Sequence, residues 1–125
     1  MPKSVLIVDD NAIIRQALCR LFRSEPDFEV CGEAANGREA IERAQELHPH
    51  LVVMDLAMPV MNGIEASRVL RKLLPTVPVI VFTHYSDVLS EKEAHSLGIS
   101  IVVSKSAHIS VLLDKARDLL RLHAA

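Results

Sequence analysis

Five times along this chain a short apolar run gives way to a helical pattern, and that alternation leaves few architectures open. The runs are Val5-Leu6-Ile7-Val8, Phe28-Glu29-Val30-Cys31, Leu51-Val52-Val53-Met54, Val79-Ile80-Val81-Phe82 and Ile99 to Val103. Each has the length of a strand and is too short for a buried helix. After the first run, Ile13, Ile14, Ala17, Leu18, Leu21 and Phe22 recur at helical spacing, and Pro26 closes the segment. The turn at Asn36-Gly37, with Asn36 and Glu39 as a capping pair, precedes Ala40, Ile41, Ala44 and Leu47, and His48-Pro49 ends that helix. A third helix starts near Asn62 and presents Ile64, Leu70, Leu73 and Leu74. A fourth is expected from about Ser86 to Leu97, with Gly98 as its C′ residue. The last carries Leu112, Leu113, Ala116, Leu119 and Leu120.

Strands that alternate with helices predict a parallel sheet covered on both faces, and right-handed crossovers restrict its topology further. The third run is nearly all apolar, as a central strand would be; the second is mixed, as an edge strand would be. A chain of 125 residues is expected to form a single domain spanning 1–125.

In open sheets of this kind, functional groups gather at the carboxyl ends of the strands. The apolar runs stop there at polar side chains: Asp9-Asp10 after the first, Asp55 after the third, Thr83 after the fourth and Lys105 close after the fifth. Taken singly, each has a structural explanation. Asp10 could cap the first helix, Thr83 could end a strand as a β-favoured residue, and Lys105 could be a surface lysine. A full set on one edge points to chemistry. Three crowded carboxylates repel one another and call for a cation, and magnesium suits one or two carboxylates plus phosphate oxygens. A carboxylate can also act as the nucleophile that forms an aspartyl phosphate. Phosphoryl transfer asks mainly for positioning and charge neutralisation. A lysine ammonium contributes charge, and a threonine hydroxyl contributes a donor.

These residues also carry a family resemblance. Val8-Asp9-Asp10-Asn11, then Met54-Asp55-Leu56-Ala57-Met58-Pro59 with Asn62-Gly63, then Thr83 and Lys105, resemble the ordered motifs of the receiver domains of two-component response regulators, from Lys3 to about Leu120. Gly32-Glu33-Ala34, Asn36-Gly37 and the Ser106 that follows Lys105 are similar to receivers that precede LuxR-type DNA-binding domains. The resemblance implies an α/β fold: a five-stranded parallel sheet of order 2-1-3-4-5, doubly wound with five helices. It implies Asp55 as the phosphoacceptor, Asp10 as a direct Mg2+ ligand with Asp9 acting through water, and the Ala57 backbone carbonyl as a further ligand. Lys105 would contact the phosphoryl group, and Thr83 would turn towards it. The donor would be a phosphohistidine on a sensor histidine kinase or histidine phosphotransfer protein. The response would be a changed interaction surface, for an output domain, a downstream protein or a homodimer. Such a chain is a signalling switch with self-phosphorylation and autodephosphorylation chemistry. The sequence departs from the family pattern at Ser106, where many receivers have Pro and a cis turn. Val102 stands where a switch aromatic is usual, and His84 where a small residue is common. These positions bear on the turn after Lys105, on coupling to Thr83 and on access to the phosphoryl group.

Other classes fit less well. A receiver-like scaffold that is never phosphorylated would be expected to lack site residues. A flavin carrier needs a Ser/Thr/Gly-rich phosphate loop after the first strand, where Asp9-Asp10-Asn11 stands instead. An Asp-nucleophile hydrolase would place its nucleophile after the first strand, whereas the best candidate here follows the third. Half of the chain is hydrophobic, 24% is charged and the net charge is -2, so it is globular and carries no basic stripe for nucleic acid. Three Phe, one Tyr and no Trp leave few platforms for base stacking. No apolar run approaches the roughly 18–20 residues of a membrane span, and the N-terminus lacks a secretory pattern, so a cytoplasmic location is expected. Cys19 and Cys31 have neither disulfide nor zinc spacing and are expected as reduced buried thiols. His48 and His50 are expected to be solvated, and His95, His108 and His123 to lie on helix surfaces. Asp87, Glu91, Lys92 and Glu93 are expected on an exposed face of the fourth helix.

Overall fold

A computed structural model describes residues 1–122; His123 lies outside the described residues. The strands are β1 (Lys3–Val8), β2 (Phe28–Ala34), β3 (Leu51–Met54), β4 (Val79–Thr83) and β5 (Ile101–Ser104). The helices are α1 (Ala12–Arg23), α2 (Gly37–Leu47), α3 (Gly63–Leu73), α4 (Glu91–Ser96) and α5 (Ile109–Leu120). All strand pairs are parallel and the order is β2-β1-β3-β4-β5. The central β3 is buried along its whole length, and β2 is an edge, as its mixed polarity predicts.

Alternation along the strands divides the interior into two cores. Val5, Ile7, Leu51, Val53, Ile80, Phe82 and Val103 pack with Leu18 and Phe22 of α1 and Leu112 and Ala116 of α5. Leu6, Val8, Val52, Met54, Val79 and Val81 pack with Ala40 and Ala44 of α2, Ala66 and Leu70 of α3 and Ala94 of α4. Each fully buried large aliphatic contributes about 1.5–3 kcal/mol. The small residues on α2, α3 and α4 let those helices lie close to the sheet.

Side chains set the helix boundaries. Asn36 accepts from the Glu39 amide at 2.9 Å and Asn62 from the Glu65 amide at 2.9 Å, which starts α2 and α3 where the sequence predicts. Gly98 follows α4 at φ +86°, the left-handed conformation expected of a C′ glycine. Three details differ from the sequence reading. Asn11, not Asp10, caps α1: its Oδ1 accepts from the amides of Ile13 and Ile14. The helix expected from Ser86 is broken: Ser86–Val88 forms a 3-10 turn, Leu89 is extended, and α4 begins only after Ser90. There Ser90 Oγ accepts from the Glu93 amide and Glu93 accepts from the Ser90 amide, a capping box that fixes the later start. The fifth strand starts at Ile101 rather than Ile99, because Ser100 bonds to Val79 through both its amide and its hydroxyl.

Candidate functional site

The chain leaves β1 at a corner tied to both neighbouring strands. The Asp9 amide donates to the Ala34 carbonyl, and the Asp55 amide donates to the Val8 carbonyl. Asp9 and Asp55 therefore emerge side by side at the carboxyl edge, 1% and 8% exposed. Lys105, one residue beyond β5, spans to both: its Nζ lies 3.0 Å from Asp9 Oδ2 and 3.0 Å from Asp55 Oδ2, with its side chain only 6% exposed. Its amide donates to the Thr83 carbonyl, which fixes the root of the side chain. Burial alone would lower the Lys105 pKa. The hydrogen bonds to Asp55 and Asp9, together with their negative charges, outweigh burial and hold it above its ordinary value.

Asp10 completes the cluster. One carboxylate oxygen from each of Asp9, Asp10 and Asp55 lies within 4.8 Å of the others. Asp9 Oδ1 accepts from the Asn11 amide, and its Oδ2 accepts from Lys105. Asp55 Oδ1 accepts from the Leu56 amide at 2.7 Å, and its Oδ2 accepts from Lys105. Asp10 is exposed and has no hydrogen-bond or ion-pair partner among the described residues. With three carboxylates and one ammonium, the group has a net negative charge and hard oxygen donors, which fits a divalent cation such as Mg2+. The Ala57 carbonyl accepts no hydrogen bond from the described residues.

The loop after Asp55 is held from below by α3. The Gly63 amide donates to the Leu56 carbonyl at 2.8 Å, and a Cβ on Gly63 would run into the Asp55 carbonyl oxygen. Within this loop Val60 adopts φ 68°, a left-handed conformation that β-branched residues rarely take. Thr83 is fully buried at the end of β4, and its Oγ1 accepts from the Tyr85 amide at 3.1 Å rather than joining the carboxylates. His84 and Tyr85 are exposed, and Val102 packs partly buried in the α2–α3–α4 core. The described residues contain no cis peptide, so the Lys105–Ser106 turn is trans.

Sequence reasoning missed Arg15. Its Nη1 donates to the Asp9 carbonyl at 2.8 Å, and its Nε donates to Glu33 of β2 at 3.0 Å. The expected histidine roles also change. His50 is tied rather than merely solvated, its Nδ1 lying 3.0 Å from the Ser4 amide. His108 caps α5. Cys19 is buried, Cys31 is partly buried, and both are free. Burial raises the pKa of each thiol.

The family model described as the response regulator receiver domain matches residues 5–117. A protein-glutamate methylesterase/protein-glutamine glutaminase 1 of Methanosarcina acetivorans is 39% identical over 123 residues, covering 91% of this chain and 35% of that protein. This chain thus spans about a third of the length of such curated relatives. A two-component response regulator of the LuxR family from Aurantimonas sp. SI85-9A1 superposes with TM-score 0.89 at 32% identity, covering 97% of this chain and 86% of that one. The response regulator protein TrrA of Thermotoga maritima, solved in complex with Mg(2+)-BeF, superposes with TM-score 0.84 at 30% identity, covering 94% and 98%. No helix among the described residues is long and apolar enough to cross a membrane.

Proposed function

The chain belongs to the response regulator receiver domain family, and on that premise we propose that Asp55 is its phosphoacceptor and that the acidic cluster binds Mg2+. One observation carries the proposal: Lys105 bridges two buried carboxylates at 3.0 Å while a third, Asp10, stays beside them with no partner among the described residues. A purely structural ion pair has no use for the third charge.

Asp10 is the direct metal ligand, because its oxygens are uncommitted. Asp9, the more deeply buried of the other two carboxylates, contributes its charge and a water contact. Asp55 and the Ala57 carbonyl complete the protein's share of the ligands. Bound Mg2+ supplies charge neutralisation to the phosphoryl oxygens. Its binding by the Thermotoga protein, together with a beryllofluoride, supports the same use here.

In the transfer, an Asp55 carboxylate oxygen forms a new bond to phosphorus as the nitrogen–phosphorus bond of a phosphohistidine breaks, and the released imidazole takes up a proton. Lys105 shifts from the carboxylates to a phosphoryl oxygen. Thr83 donates a hydrogen bond from its hydroxyl to another phosphoryl oxygen. A turn of the Thr83 side chain towards the phosphoryl group draws Oγ1 from the Tyr85 amide, which couples the site to the segment that leads into the 3-10 turn at Ser86–Val88.

The phosphodonor is a sensor histidine kinase or a histidine phosphotransfer protein in the cytoplasm. Residues 1–125 act as one regulatory domain whose changed surface engages an output domain, a downstream protein or a second copy. Methylesterase activity belongs to the relatives that bear that name. The test is labelling by acetyl phosphate, followed by intact mass. One added phosphoryl group, dependent on Mg2+ and absent from Asp55→Asn, supports the proposal. No adduct under conditions that label a control receiver refutes it.

A further inference from the structure

We infer that Arg15 is a positioning residue for the cation site, acting through the peptide that joins Asp9 to Asp10; this rests on the Mg2+ proposal above. A peptide is planar, so holding the Asp9 carbonyl fixes the plane and with it the place of the Asp10 Cα from which the side chain departs. Arg15 Nη1 holds that carbonyl at 2.8 Å. Asp10 has no side-chain partner of its own among the described residues, so its aim depends on the backbone.

Arg15 is in turn fixed. Its Nε donates to Glu33 Oε1 at 3.0 Å, and its side chain is 20% exposed. Glu33 pairs with Ile7 in the β1–β2 register, and the next pair is Val8 with Ala34, whose carbonyl accepts from the Asp9 amide. The Asp9–Asp10 corner is thereby held on the β2 side through the backbone and on the α1 side through Arg15. Glu33 also offsets the guanidinium charge, so Arg15 can orient the corner with little repulsion of a cation.

Position and charge give opposite signs. If Arg15 acts by position, its loss weakens Mg2+ binding. If it acts only as a nearby positive charge, its loss tightens binding. The experiment is calorimetric titration of the unphosphorylated protein with MgCl2, alongside metal-free thermal unfolding. Arg15→Met and Arg15→Lys are expected to weaken Mg2+ about tenfold, within the range seen when groups that orient metal ligands are removed. Lysine keeps the charge but cannot reach the carbonyl and Glu33 in one planar fork. Glu33→Gln keeps the acceptor for Nε and is expected to stay within about twofold of wild type. Should Arg15→Met fold poorly, Arg15→Lys carries the test. Unchanged or tighter binding in either Arg15 variant that folds, with wild type binding normally, overturns the inference about Arg15 alone. No Mg2+ binding by wild type overturns the metal site and this inference with it.

Discussion

The Lys105 ammonium lies 3.0 Å from Oδ2 of Asp55, joining residues fifty positions apart at the carboxyl edge of the sheet. Asp9 accepts from the same ammonium. Three consequences for stability follow from this cluster and the groups around it, and a fourth from the loop beside it.

Removing the ammonium leaves two buried carboxylates without a cation. Lys105→Met is expected to lower metal-free stability by about 3 kcal/mol, the cost of leaving a buried charge unpaired. Saturating Mg2+ should restore part of the loss. Urea unfolding with and without MgCl2 checks this; a loss under about 1 kcal/mol would mean that the bridge is solvated and weak.

Mg2+ should stabilise the wild-type fold by about 1.4 kcal/mol at ten times its Kd. Asp10→Asn is expected to raise the metal-free melting temperature slightly, because it removes an unpaired negative charge from the cluster. It should also abolish the Mg2+-induced rise. A full Mg2+ response in that variant would contradict the role given to Asp10.

Val60 sits at φ 68° and is 75% exposed, so it is strained and has little burial to lose. The left-handed conformation costs an L-residue about 1–2 kcal/mol. Val60→Gly removes that strain but adds freedom to the unfolded chain. A net gain of about 1 kcal/mol is expected in chemical denaturation. A loss would show that Val60 makes a stabilising contact.

Stability should fall on the alkaline side. Burial, and then the Glu33 charge, raise the Cys19 pKa; burial raises that of Cys31. Lys105 is also raised, because the two aspartates outweigh burial. A group with a raised pKa holds its proton more tightly in the folded state. Its contribution is therefore complete below the unfolded value and lost as pH rises through the folded one. The ordinary values are about 8.5 for cysteine and about 10.4 for lysine. The expected profile is flat from about pH 7 to 8 for these groups, then declines towards pH 11. Stability that rises over that range would contradict the assignment.

Strand order and the polar set at the strand ends are legible in the sequence because both follow from period and topology. Leu51 to Met54 reads as a central strand, and Asp9, Asp10, Asp55, Thr83 and Lys105 fall on one edge by alternation alone. Contacts between distant side chains are less legible. Arg15 lies one helical turn beyond Asn11 and looks like any helix-surface cation until β2 brings Glu33 beside it. The tie between His50 and Ser4, forty-six residues apart, depends in the same way on the β1–β3 pairing. The break before α4 had a local signal. Ser90 and Glu93 have capping-box spacing, and they lie beyond the start expected at about Ser86. Asn11 takes the cap that Asp10 could have supplied, which leaves Asp10 uncommitted for the cation.

The central claim is that phosphate forms on Asp55, and site mapping tests it most directly. The protein is incubated with acetyl phosphate and MgCl2, reduced with borohydride to convert an acyl phosphate into an alcohol, and digested for peptide mass spectrometry. Homoserine at position 55, absent when Mg2+ is withheld, is the expected result. Reduction at another residue, or none while a control receiver is converted, would contradict the account and favour a receiver fold that works as an unphosphorylated scaffold.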